Sequence, residues 1–362
     1  MSTGAATGPM PCDNGAPPIL VTSTRCGVTE TAFRGCAILV DASGTPVWSI
    51  GDVTAPTFPR SAIKLIQVLP VLMSGAVSAF GFTDQEVAIM CASHSGEPAH
   101  VATVRSILSK AGLSEEHLGC GALMPLGAAA SEELLRSGGS VGAIHNNCSG
   151  KHAGFLAACK LLGYDLRTYL SLDHPLQVSI RAELCHFAEL RDDELVRGID
   201  GCSAPNYAMP VIAMARLFKN IAHPQADAAR ESARAAMVRA LTAHPYYIAG
   251  EGRYCTALCT ACPLLLGKVG AEGFYGVSLL QRGWGLAAKI ESGGALGPQY
   301  NVVQAVLEAA GVVPEEAAAA LAHFAKTPVL TVKGERVGSR EAVAEIRESV
   351  RERVAALKDR VR

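Results

Sequence analysis

The stretch Pro59-Arg60-Ser61-Ala62-Ile63-Lys64-Leu65-Ile66-Gln67 places a serine and a lysine three residues apart at the head of an apolar run with helical spacing. On a helix, positions i and i+3 share a face. A serine hydroxyl attacks poorly near neutral pH, and a lysine beside it can act as base once desolvation or a second cation keeps it neutral. Pro59 suits the approach to a helix start, where free backbone N–H groups can hold a developing oxyanion. The plain alternative is that Ser-x-x-Lys recurs by chance, so the rest of the chain has to decide.

The 362 residues are 49% hydrophobic and 18% charged, the composition of a well-packed globular protein with room for two subdomains. A formal net charge of -1 argues against nucleic acid and against an anionic membrane surface. A small-molecule partner fits better. No apolar run reaches the ~18 residues of a membrane span. Residues 1–18 lack the basic start and apolar centre of a signal peptide, and read as a disordered arm ahead of one domain over 19–362. The twelve cysteines are scattered through a long chain, which predicts reduced thiols and a cytoplasmic protein.

Residues 19–24 and 35–50 read as strands, the second a hairpin turned at Ala42-Ser43-Gly44-Thr45. Helical spacing follows over 62–73, 98–112, 131–137, 151–163, 175–190, 208–222 and 227–243, and Thr83 with Glu86 forms a capping-box pattern. Strand signals return at 274–280 and 285–290. Residues 304–310 and 315–325 read as helices, 329–332 as a short strand and 340–358 as a charged final helix. The chain is thus expected to be α+β, with a mostly antiparallel sheet from both chain ends and a helical insertion subdomain over about 65–250.

Four further clusters carry polar chemistry. Ser93-His94-Ser95-Gly96-Glu97 offers a proton relay beside Ser61, or simple helix capping. His145-Asn146-Asn147-Cys148-Ser149-Gly150-Lys151-His152 is too polar for a core and belongs in a cleft. Within it, Cys148 and His152 lie four apart, suiting tetrahedral zinc; Cys148 and Lys151 lie three apart, which suits zinc only with a neutral lysine. Asp200 and Cys202 sit on a Gly- and Pro-rich turn fit to hold a substrate amino group, or to make an unadorned Asx turn. Cys255, Cys259 and Cys262 are zinc ligands or core packing. Lys268, between glycines and just before a strand, is placed to face a site and to depress the pKa of another lysine.

In order, Ser61-x-x-Lys64, Ser93-His94-Ser95 and Lys268-Val269-Gly270 resemble the three-part pattern of serine β-lactamases and penicillin-binding proteins, with valine where that pattern has threonine. The longer segments CASHSGEPAH (91–100), HNNCSGKHAGF (145–155), GIDGCSAPNYAMP (198–210) and GKVGAEG (267–273) resemble the rhizobial-type L-asparaginases. That resemblance implies a serine β-lactamase-like fold, a homodimer, and hydrolysis of the L-asparagine side-chain amide through an acyl-enzyme. It implies paired Ser61 with Lys64 and Ser93 with Lys268, and a zinc ion on Cys148, Lys151 and Cys202 that aids substrate positioning. Arg60, His152 and Asp200 are candidates for the substrate's α-amino and α-carboxylate groups. A glutaminase or other small-amide hydrolase, and a non-catalytic zinc-binding protein, are the competing readings.

Overall fold

The computed structural model describes residues 15–294 and 297–360. Of the expected N-terminal arm, residues 1–14 lie outside the described residues.

Eleven strands are found among the described residues: β1 (Ile19–Arg25), β2 (Val28–Val40), β3 (Pro46–Ile50), β4 (Pro56–Thr57), β5 (Val196–Ile199), β6 (Pro205–Pro210), β7 (Leu265–Val269), β8 (Phe274–Leu279), β9 (Trp284–Ile290), β10 (Lys326–Leu330) and β11 (Arg336–Ala342). Eight form one antiparallel sheet in the order β10-β11-β1-β2-β9-β8-β7, with β3 also on β2. Strands from both ends of the chain therefore share one sheet, the α+β architecture expected. A small second sheet runs β4-β6-β5.

All six residues of β8 are buried, as in a strand covered on both faces. The helices Val211–Ile221 and Pro298–Ala309 pack on it. Between β4 and β7 the chain is mostly helical, including Asp84–Met90, Pro98–Lys110, Ser149–Leu162 and Pro175–Ala188. The Thr83 capping box is complete: Thr83 N–H donates to Glu86 Oε2 at 2.7 Å, and Glu86 N–H to Thr83 Oγ1 at 3.4 Å.

Several boundaries differ from the sequence expectation. The second strand begins at Val28, because Cys26 and Gly27 (φ +47° and +82°) make a tight turn that pairs it with β1. Residues 340–342 belong to β11 and pair with β1 and β10, so the final helix starts at Ala344. Residues 208–210 are strand, and Pro210 caps a helix that starts at Val211. Lys268 lies inside a strand, β7, where the flanking glycines masked the strand pattern. A helix over Tyr254–Ala261 was not anticipated.

One glycine ties the sheet to the Ser61 turn. A Cβ on Gly270 would sit 2.2 Å from Pro59 O, so only glycine lets the end of β7 approach. Gly270→Ala is expected to destabilise the protein by about 1–3 kcal/mol, read from the denaturant midpoint.

Candidate active site

Ser61 sits on a short 3-10 turn, Arg60–Ile63, that runs into the helix Lys64–Gln67. Arg60 just before it holds φ +52°, a left-handed conformation that is uncommon for a side-chain-bearing residue and collects at functional sites. Ser61 is partly exposed, whereas Lys64 and Lys268 are fully buried and Ser93 is 3% exposed.

Three elements deliver the other groups. Ser93 follows the helix Asp84–Met90, and its N–H is fixed on Ile248 O at 3.0 Å. The helix Ser149–Leu162 packs against the same helix through Gly150, where a Cβ would lie 2.3 Å from Ile89 O. Strand β7 brings in Lys268.

The lysines converge on one hydroxyl. Lys64 Nζ donates to Ala92 O at 2.6 Å, lies 3.0 Å from Ser93 Oγ, and reaches Asn147 O at 3.5 Å. Lys268 Nζ lies 2.9 Å from the same Ser93 Oγ and 3.1 Å from Val269 O. Lys64, expected to face Ser61, is thus bonded to Ser93. Ser61 Oγ has no hydrogen-bond partner among the described residues and is left accessible. Burial pushes the Lys268 amine down to about 7, with the positive charges of Lys64 and Arg253 adding to it against the opposing Cys255 sulfur.

The rest of the 93–97 segment is structural. His94 Nδ1 accepts from Gly96 N–H at 3.1 Å, which leaves Nε2 to donate to Ser149 Oγ at 2.9 Å. Burial, aided by His100 and Lys64, holds that ring neutral, so it is spent tying loops together. Ser95 Oγ donates to Ala249 O, and Glu97 starts the helix Pro98–Lys110.

Cys148, Lys151 and Cys202 form a second buried cluster, with Lys151 Nζ 3.2 Å from Cys202 Sγ. A hydrogen bond from the Cys148 thiol and the Lys151 charge hold Cys202 far below the ordinary thiol range, against the effect of burial. The same hydrogen bond, together with burial, pushes Cys148 up. Burial opposes the charge on Lys151, yet the Cys202 and Cys148 sulfurs hold it raised. His152 is buried and its pKa falls to about 4, chiefly by desolvation; Nδ1 meets Tyr169 OH at 2.6 Å while Nε2 lacks a well-formed partner. Two sulfurs and an amine thus share one buried cluster, a donor set that fits zinc provided the lysine gives up its proton. Among the described residues no three His, Cys, Asp or Glu groups could hold a metal alone, so Lys151 is needed for such a site.

Arg60 and Asp200 meet each other: Nε donates to Asp200 Oδ1 at 2.7 Å, and Asn206 Nδ2 reaches Asp200 Oδ2 at 3.3 Å. The eleven cysteines among the described residues are all free thiols. Cys255 Sγ accepts from Val269 N–H at 3.3 Å and from Tyr275 OH at 3.4 Å, beside Lys268 in the buried framework. Arg253, Asn206 and the carbonyls of Ala92 and Asn147 were missed as site groups. Carbonyls leave no sequence signal, and Arg253 stands outside every polar cluster.

Together, fold and cluster define an α+β protein with a buried serine–lysine site at the edge of its sheet. The chain belongs to the L-asparaginase II family, whose model matches residues 21–342. None of the curated proteins matches the chain. Among solved structures, Mglu in its native form is 14% identical with a TM-score of 0.35, covering 75% of this chain and 59% of that one. The chain therefore spans less than two thirds of the length of Mglu. A β-lactamase from Mycobacterium bovis is 11% identical, TM-score 0.37, covering 80% and 94%. A Bacillus subtilis glutaminase in covalent complex with 5-oxo-L-norleucine is 13% identical, TM-score 0.32, covering 80% and 86%. Superpositions this loose transfer neither residues nor activity.

Proposed function

We propose that this protein hydrolyses the side-chain amide of L-asparagine through an acyl-enzyme on Ser61. The observation that carries this reading is the buried hydrogen-bonded row of Lys64, Ser93 and Lys268, with a partly exposed Ser61 three residues before Lys64. Lys64, three residues on, takes the Ser61 proton as Oγ attacks the amide carbon, in step with giving up one of its own. It passes a proton to Ser93 Oγ, whose own proton moves to the neutral Lys268 amine. The Ser61 N–H, in the first turn of the 3-10 helix, would face the developing oxyanion. The row then runs in reverse: a proton returns to the amide nitrogen, ammonia leaves, and water, deprotonated by the same amines, releases L-aspartate. Lys268 can take up the proton because burial brings its amine down to about 7.

Cys148, Lys151 and Cys202 would hold zinc, with Lys151 coordinating as the neutral amine. Bound there, zinc supplies positive charge for substrate positioning. Arg60 and Asp200 orient the α-carboxylate and α-ammonium, and neutral His152 lines the wall. In this reading the protein is a cytoplasmic homodimer. Metal analysis is expected to find about one zinc per chain, lost in Cys148→Ala and Cys202→Ala, with KM rising more than kcat falls.

Ammonia release from L-asparagine and L-glutamine, for wild type and Ser61→Ala, tests the reading. Asparagine turnover that vanishes in the variant supports it. Preference for glutamine would keep the chemistry and overturn the substrate, since one methylene is worth only ~1–3 kcal/mol. Turnover of neither, with zinc retained, would favour a zinc-binding protein.

A further inference from the structure

A cavity of about 280 Å³ opens beside the Ser61 turn, lined by Thr57, Phe58, Arg60, Ile199, Glu272 and Lys289. It is smaller than the pockets that take drug-sized ligands, and matches a small metabolite. Its charges are arranged unusually. Lys289 is half-buried and donates to Glu272 O at 2.6 Å and Ile290 O at 2.5 Å, and makes no ion pair among the described residues. Burial disfavours its positive charge, and the nearby Glu272 and Glu291 carboxylates favour it without forming an ion pair. Arg60 gives Nε to Asp200 and leaves both Nη groups without an acceptor among the described residues. Glu272 accepts Gly294 N–H on Oε2 at 3.0 Å and keeps Oε1 free.

The backbone sets this up at a cost. Arg60 and Glu272 both stand in the left-handed region, at φ +52° and +56°. Strain of that kind persists where surrounding structure enforces it, and two of the five such side-chain-bearing residues among the described residues line this one cavity. Phe58 and Ile199 are exposed at its rim, 38% and 63%, and offer apolar surface between the charges.

We propose that this cavity is an antechamber that captures a free L-α-amino acid, its carboxylate on Lys289 and the Arg60 Nη groups and its ammonium on Glu272, before transfer to Ser61. The two cations and one carboxylate, with Arg60 already balanced by Asp200, give a neutral chamber suited to a zwitterion. The assignment rests on the asparaginase reading for its ligand but not for its geometry.

The test combines steady-state kinetics on L-asparagine with calorimetry of L-aspartate binding. Glu272→Gln, on the surface and safe for folding, and Lys289→Met are each expected to raise KM and weaken L-aspartate by about tenfold or more. Lys289→Arg is expected to restore both, and kcat should change by less than about twofold throughout. Unchanged KM and unchanged L-aspartate affinity in Glu272→Gln would overturn the proposal. If wild type hydrolyses no amide but binds L-aspartate, and both variants lose that binding, the antechamber stands and the asparaginase reading falls. Binding that persists in both variants overturns the antechamber whatever the turnover.

Discussion

Ser61→Ala is expected to lower kcat for amide hydrolysis by about 10⁴-fold or more, because without Oγ no covalent intermediate forms and water must attack the amide directly. The argument rests on accessibility. Ser61 has no side-chain hydrogen bond among the described residues and is partly exposed, whereas Ser93 Oγ is buried between two lysine amines. Ser93→Ala is therefore expected to cost less, about 10²–10⁴-fold, as the loss of a proton relay does. The two variants differ in kind as well as size. With hydroxylamine present, Ser93→Ala should still form a little aspartyl hydroxamate and Ser61→Ala none. Equal yields from both would show that the serines exchange roles.

The second large effect concerns protons. Lys268 must be the neutral amine to accept the Ser93 proton, and burial brings it to about 7. Above that pH it is a base, and below it an ammonium that can accept nothing. Activity is accordingly expected to rise with pH through about 7 and to fall tenfold per unit on the acid side, as titration of one proton dictates. Lys268→Met should lower kcat by about 10²–10⁴-fold and abolish that acid limb. Arg253→Met removes a cation that favours the neutral amine, so the midpoint should move up. A profile flat from pH 5 to 9 in wild type would exclude Lys268 from the chemistry.

Much of the frame was legible because it is local. The Thr83 and Glu86 pair spans three residues, and both of its hydrogen bonds are present. The hairpin at residues 41–45 could be read likewise, since Asp41 Oδ1 accepts from Ser43 and Thr45 N–H to close the turn. What could not be read depends on distant partners. Strand β11 exists because residues 340–342 pair with 21–23 at the other end of the chain, and its charged pattern alone resembles a helix. Lys268 reaches Ser93 across 175 residues, and Arg60 reaches Asp200 across 140. The residues were legible as candidate clusters; the family resemblance alone paired Ser93 with Lys268, and nothing in the sequence paired Arg60 with Asp200.

The spacing of Ser61 and Lys64 shows the limit most clearly. Three residues apart predicts a shared helical face, yet Ser61 stands on a 3-10 turn and Lys64 starts the helix, with its amine drawn to Ala92, Ser93 and Asn147. Spacing says nothing of such competing acceptors. The 91–97 segment carries the opposite lesson. Its one imidazole, on chemical type the obvious acid–base group, is neutral, fully hydrogen-bonded and structural.

The central claim is a covalent acyl-enzyme on Ser61, and the most direct measurement quenches the protein in acid during turnover of L-asparagine and maps the adduct by peptide mass spectrometry. An aspartyl ester on Ser61, enriched in Ser93→Ala and absent from Ser61→Ala, is the predicted result. Turnover of L-asparagine with no adduct at any serine, or an adduct on a cysteine, would contradict it.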